Sequence, residues 1–252
     1  MFECVARCLE PCAPCLCGCM TGCDGRVVWR GETQRRGRLV ALTIDDVPNK
    51  GTTTVDDLLA LLALLDTHNA RATFFVIWNA AKRVDPLTLK TMLKTIHEKR
   101  HEIGVHFDGR WGCTVSDAAI CQETTEMLHA LQDVCGVKPK YARLPGGFSR
   151  QSTVTLLNDT FDLTVVNGTA YPFDVDLCQW RSAKRLGQCA AELGRGGGRI
   201  AILHDREDLQ EKVKAFLERT ASNGCRVVRL DTLLDEIHPE ARSRLLMPVL
   251  NL

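Results

Sequence analysis

The chain has 252 residues, 45% of them hydrophobic, and its 32 Lys and Arg nearly balance 31 Asp and Glu for a formal net charge of +1. That size suits one α/β domain with short tails, and a near-neutral charge leaves no broad basic field to hold nucleic acid or an anionic membrane. The longest apolar run, 58–65, falls well short of the roughly 20 residues that span a bilayer and reads as one buried helix face.

Residues 1–24 stand apart from the rest. Seven of the 13 cysteines fall here: Cys4, Cys8, Cys12, Cys15, Cys17, Cys19 and Cys23. Six of them step by 4, 4, 3, 4 and 4, which puts them on one face of a helix, although Pro11 and Pro14 oppose a regular helix. Three readings compete. A thiolate metal cluster lacks a histidine and matches no standard zinc spacing. An S-acylated tether would give membrane association through the acylated cysteines. The third is an unstructured tail without a role. The segment has Arg7 but no unbroken apolar run, so a secretory signal is not expected and a cytoplasmic location is. The other cysteines, Cys113, Cys121, Cys135, Cys178, Cys189 and Cys225, read as small buried hydrophobes, and an odd total forbids complete intramolecular pairing.

From Gly25 strands and helices alternate. Residues 27–29 suit a short edge strand. The apolar run 39–44 precedes a helix over 54–65, and 72–77 precedes a helix that Asp85 caps, Pro86 opens and Lys99 ends. The run 102–105 leads to a long helix from Thr114 through Val134, with Gly136 as its stop. After 140–142 comes a helix over 149–158, and after 162–166 one over 181–193, closed by the glycine stretch 194–198. The run 199–203 precedes a helix over 207–221, with Asn223–Gly224 beyond it. Last come the run 226–230 and a short helix from Asp231 to Ile237, ended by His238 and Pro239. The domain is thus expected over 25–238, with 239–252 a tail. Strands alternating with helices imply a parallel sheet, and in a parallel barrel the strand C-termini open on one chemical face.

Polar residues stand at those strand ends. Asp45 and Asp46 follow the first run. Adjacent carboxylates on a strand point opposite ways, so one suits a base and the other a cation; the bland alternative is a turn or helix cap. His106 ends the third run as a good metal ligand, with Asp108 two residues on and in reach of the same ion. His101, at the far end of that strand, suits a surface or capping role. Arg143 ends the fourth run, and a guanidinium orients a neighbouring carboxylate. Pro145, Gly146 and Gly147 then form a tight exposed loop whose N–H groups can face a ligand. His204 and Asp205 end the sixth run, and His204 near Asp174 or Asp176 is placed to donate a proton.

These segments resemble the five motifs of the polysaccharide deacetylase (NodB-homology, carbohydrate esterase family 4) family, in its chitin- and chitooligosaccharide-deacetylase-like branch. They are TIDD at 43–46, HEIGVH at 101–106, RLPGG at 143–147, YPFD at 171–174 with Trp180, and AILHD at 201–205; ATFFVI at 72–77 is also typical. The resemblance covers about residues 27–237 and implies an α/β fold, an incomplete (β/α)7-type barrel. It implies Asp45 as general base, Arg143 as the arginine that orients it, and His204 as general acid tuned by Asp174. It also implies Trp180 as a hydrophobic wall, and Asp46 and His106 as ligands of a divalent metal, usually zinc. The family's second metal histidine stands four residues after the first, where this chain has Arg110. Asp108 is then the candidate third ligand.

The expected activity is metal-dependent deacetylation of an N-acetylated sugar. A catalytically impaired carbohydrate-binding member of the fold, or a hydrolase of a small non-sugar amide, are the alternatives. With two tyrosines and four tryptophans the chain has little aromatic surface for a long stacking groove, which favours a short substrate. No GxSxG elbow occurs, which disfavours a serine nucleophile.

Overall fold

The structure, a computed structural model, describes residues 27–28, 38–109, 115–147, 149–172, 174, 182–195 and 197–235. The expectations placed on the tails 1–24 and 239–252, and on Arg110 and Trp180, lie outside these residues.

All seven expected strands form: β1 Arg38–Val47, β2 Ala72–Ile77, β3 Glu102–His106, β4 Tyr141–Arg143, β5 Thr164–Val165, β6 Arg199–His204 and β7 Cys225–Val228. Every pairing is parallel, in the order β5-β4-β3-β2-β1-β6, with β7 against the first half of β1. Past β5 the chain crosses back to β6 through the Ala170–Ala201 bridge, which curls the sheet toward closure as a (β/α)7-type barrel. The edge strand expected at 27–29 is a single bridge from Val28 to Val166.

Alternation along β1 sorts its side chains. Val40, Leu42 and Ile44 face outward into the main core with Leu58, Leu61, Leu62 and Leu65. Leu39 and Ala41 face inward, joining Phe75, Tyr141, Ile200 and Val228 in a second cluster that fills the barrel floor. Thr43 and Asp45 continue that inward row toward the mouth and are buried. The barrel is therefore apolar below and polar above.

The helices are α1 Val55–Thr67, α2 Trp78–Ala81, α3 Pro86–Glu98, α4 Asp117–Cys135, α5 Gln151–Thr155, α6 Ala183–Leu193, α7 Leu209–Ser222 and α8 Leu230–Asp235. Caps fix the starts of several of them. Thr54 and Asp57 form a reciprocal capping box, and Asp85 accepts the Thr88 N–H ahead of Pro86. The long helix begins at Asp117 rather than near Thr114, because Ser116 Oγ accepts the Ala119 N–H; Gly136 at φ 64° ends it as expected. The helix expected over 149–158 is a short α-helix that widens into a π turn at Leu156–Thr160. The α2 turn, four residues long, is too short to leave a periodic signal and was not expected. Where α6 meets α7, Gly187 lies so close that a Cβ would sit 2.0 Å from the Lys212 carbonyl oxygen. That approach sets Lys212 beneath β6.

Candidate active site

Asp45 and Arg143 meet inside the mouth from β1 and β4. Arg143 Nη1 donates to Asp45 Oδ1 at 2.7 Å and to Thr43 Oγ1 at 2.7 Å. Its Nε and Nη2 donate to the carbonyls of Val166 and Asn167, at 3.2 and 3.3 Å. The guanidinium carbon lies 4.3 Å over the Phe75 ring, a cation–π contact that also seals it from below. All three guanidinium nitrogens are engaged, so the Asp45 carboxylate is aimed by a fixed fork.

The two adjacent carboxylates were expected to point apart. They do not, because β1 is irregular between Ile44 and Val47 and Asp46 takes φ 67°. This turn swings Asp46 back to the inner side. Its Oδ1 lies 3.4 Å from His106 Nε2, and Asp45 Oδ2 lies 4.0 Å from the same nitrogen. His106 Nδ1 donates to the Arg143 carbonyl at 2.6 Å, which turns Nε2 toward the carboxylates. Burial opposes the charged form of Asp46, but the hydrogen bond and charge of His106, with His204 and Arg206, override it and hold this carboxyl well below the usual range. Burial opposes a charged His106 as well, yet the Asp46 hydrogen bond and the two aspartates raise it.

His204 lies across the ladder from Asp45, its register partner on β6. Asp174 Oδ1 is 2.7 Å from His204 Nδ1, and Asp174 Oδ2 accepts the His204 N–H at 3.0 Å. Lys212, fully buried on α7, donates to Asp174 Oδ2 at 2.8 Å and to the His204 carbonyl at 3.2 Å. Its ammonium also lies 3.1 Å from Asp208 Oδ1. Burial would raise Asp174, but His204 and Lys212 bring it down to about 2. Asp174, a carboxylate beneath an imidazole, is thus fixed at both oxygens.

A family model for polysaccharide deacetylase matches residues 32–165. The chain belongs to the polysaccharide deacetylase family. No curated protein matches it. Among solved structures it resembles the chitin deacetylase of the fungal pathogen Colletotrichum lindemuthianum, at 20% identity and TM-score 0.68 over 86% of this chain and 94% of that one. It also resembles a peptidoglycan deacetylase of Bacillus subtilis, at 19% identity and TM-score 0.66 over 83% of this chain and 95% of that one. A CE4 family pseudoenzyme of Bacillus anthracis matches at 21% identity and TM-score 0.67, over 82% of this chain and 68% of that one.

Polysaccharide deacetylases are generally metal-dependent, and two donors here suit a divalent ion. An oxygen and an imidazole nitrogen 3.4 Å apart are spaced as neighbouring ligands of one ion, and the second ring nitrogen is fixed by a backbone carbonyl, as metal-ligating histidines usually are. Asp108 is exposed, past the end of β3. Among the described residues no group of three or more His, Cys, Asp and Glu side chains converges as a metal cage. The deacetylase loop at 145–147 is a tight turn with Gly146 at φ 65° and Gly147 at φ 73°, conformations that glycine adopts without strain. The Gly147 N–H turns inward to the Leu144 carbonyl, and the Gly147 carbonyl accepts from Asn167 Nδ2, so this part of the loop is tied to the barrel.

Two site residues, Lys212 and Arg206, escaped the sequence, and the part played by Asp205 was not foreseen. Lys212 sits on a helix whose other charges face solvent. Arg206 Nη2 reaches Asp46 Oδ2 at 2.8 Å, and its Nη1 donates to the Asp205 carbonyl at 2.7 Å. Asp205 is buried, accepts the N–H groups of Asn49 and Gly51 at 2.8 and 2.6 Å, takes the Thr52 hydroxyl, and so staples the loop after β1. Only its place beside His204 pointed to it. At the opposite end His101 is buried rather than on the surface, and its Nδ1 accepts the Ala72 N–H at 3.1 Å, a capping role.

Proposed function

We propose that this chain is a metal-assisted hydrolase that removes the acetyl group from an N-acetylated sugar, with Asp45 as base and His204 as acid. The observation that carries this reading is the register pair Asp45–His204, each member oriented by a buried cation: Arg143 directly, and Lys212 through Asp174. Structures built only for binding have no need of a base and an acid held on adjacent strands.

In this reading Asp45 takes a proton from water as its oxygen adds to the acyl carbon. His204, its Nδ1 occupied by Asp174, presents Nε2 and gives a proton to the amine as the C–N bond breaks. Acetate and a free amino sugar leave. When bound at Asp46 and His106, a divalent ion such as zinc supplies Lewis acidity toward the acyl carbonyl and the attacking water. Pro145, Gly146 and Gly147 line the substrate side. An N-acetylated glycan is favoured because chitin and peptidoglycan deacetylases share the fold.

A second reading has one observation in its favour. Asp46 is already paired with Arg206, as a member that binds carbohydrate without turning it over would tolerate. Acetate release from N-acetylglucosamine oligomers, and product release from small amides, measured with added zinc, separates the two. Acetate release by the parent chain that disappears in Asp45→Asn supports the hydrolase. Oligomer binding without any release supports the silent binder, and turnover of small amides alone moves the substrate class.

A further inference from the structure

Three carboxylates converge at the barrel mouth, and each already has an internal cation. Asp45 has Arg143, Asp174 has Lys212, and Asp46 has Arg206. The first two pairings leave the chemistry free, since they orient a base and an acid. The third falls on the one carboxylate that a divalent ion needs.

Arg206 is not there by the chance of a long side chain. Parallel pairing sets Asp45 opposite His204, and the Asp205 N–H continues the ladder to the Asp45 carbonyl at 2.9 Å. The residue after Asp205 therefore emerges beside Asp46. Asp205 is itself pinned by Asn49, Gly51 and Thr52. Gly51 packs tightly there: a Cβ on it would lie 2.3 Å from the Arg206 carbonyl oxygen. The guanidinium is then held twice, by Asp46 Oδ2 at 2.8 Å and by the Asp205 carbonyl at 2.7 Å. Its side chain is 32% exposed, so it has an open path to solvent when displaced.

We propose that Arg206 is the resident cation of Asp46, and that a divalent ion enters this site only in competition with it. The inference rests on the metal reading of Asp46 and His106 given above. Its physical basis is charge: a fixed guanidinium on one carboxylate oxygen repels an ion on the other and withdraws electron density from the shared donor. The site then takes up metal only where the free ion is plentiful, and its occupancy responds to metal supply more than a site of bare ligands would.

The test is a zinc titration by calorimetry and by competition with a chromophoric chelator, on the full chain and on Arg206→Gln, Arg206→Lys and Asp46→Asn. The Gln variant removes the charge and keeps a donor for the Asp205 carbonyl. Its zinc affinity is expected to rise by about tenfold or more, with Arg206→Lys between it and the parent, and with binding lost in Asp46→Asn. Equal affinity in the parent and Arg206→Gln would overturn the competition while leaving the metal site standing. Weaker binding in Arg206→Gln would also overturn it, and would make Arg206 a supporting donor to the ligand carboxylate. Absence of zinc binding in every protein would remove the metal site and this inference with it. Cobalt absorption, read on the same proteins, reports whether tighter binding is at the nitrogen–oxygen site or elsewhere.

Discussion

Arg143 Nη1 lies 2.7 Å from Asp45 Oδ1, and both side chains are only 3% exposed. A buried pair of this kind aims more than it stabilises, since desolvation offsets much of its attraction. Breaking it is another matter. Arg143→Met leaves the Asp45 carboxylate buried without its cation, and is expected to lower unfolding stability by about 3–5 kcal/mol in urea titrations. Arg143→Lys keeps the charge and loses the fork. We expect it to fold, and to lower turnover by about a hundredfold with substrate affinity little changed. Turnover near the parent rate in the lysine variant would show that charge alone is what Asp45 requires.

Lys212 is a positioning residue for His204, acting through Asp174. Lys212→Met is expected to cost about 3–5 kcal/mol of stability, because a buried carboxylate loses its partner. Asp174→Asn in that background should restore part of the loss, giving a coupling of about 0.5–3 kcal/mol in a double-mutant cycle. Additive losses would show that the ammonium does not act through Asp174.

Two neighbours at the barrel floor titrate in opposite senses. Glu102 accepts from Thr73 and from the Asp231 N–H, and burial with the Asp231 charge raises its carboxyl from 4.5 to about 7. A raised folded value means stability fully present below 4.5 and lost as pH rises through 7. Burial, aided by Arg71, lowers His101 from 6.5 to about 4. A lowered folded value means stability present above 6.5 and lost as pH falls through 4. Across the shared window the two slopes oppose. Relative to the parent, Glu102→Gln is expected to make stability climb with pH between 4.5 and 6.5, and His101→Asn to make it fall. Urea midpoints across that range check both signs.

Gly104 on β3 gives up its inward space to Phe75, whose ring would lie 2.6 Å from an added Cβ. That ring carries the Arg143 guanidinium and meets His106 edge-on at 6.5 Å. Gly104→Ala is therefore expected to destabilise the fold by about 1–3 kcal/mol and to disturb both residues above it. Adding Phe75→Leu should relieve the clash and recover stability without recovering turnover. Recovery of both would show that the ring only fills space.

The strands were legible because each is a short apolar run bounded by a helix signal, and strand-end position was enough to single out Asp45, His106, Arg143 and His204. What stayed hidden depends on register and on three-dimensional approach. Lys212 looks like a solvated helix lysine until the close crossing at Gly187 sets it under β6. Arg206 becomes a partner of Asp46 only once β1 and β6 pair as they do. Asp46 was read with regular strand alternation, which its left-handed backbone breaks.

Asp45 and His204 are partners in a sheet ladder, so the gap between them is one interstrand spacing, set by backbone hydrogen bonds that no side chain can retune. Loops around the mouth can lengthen, shorten or change composition without altering that gap. On the proposed reading, the rim can be rewritten for one amide or another while the backbone interval between base and acid stays unchanged.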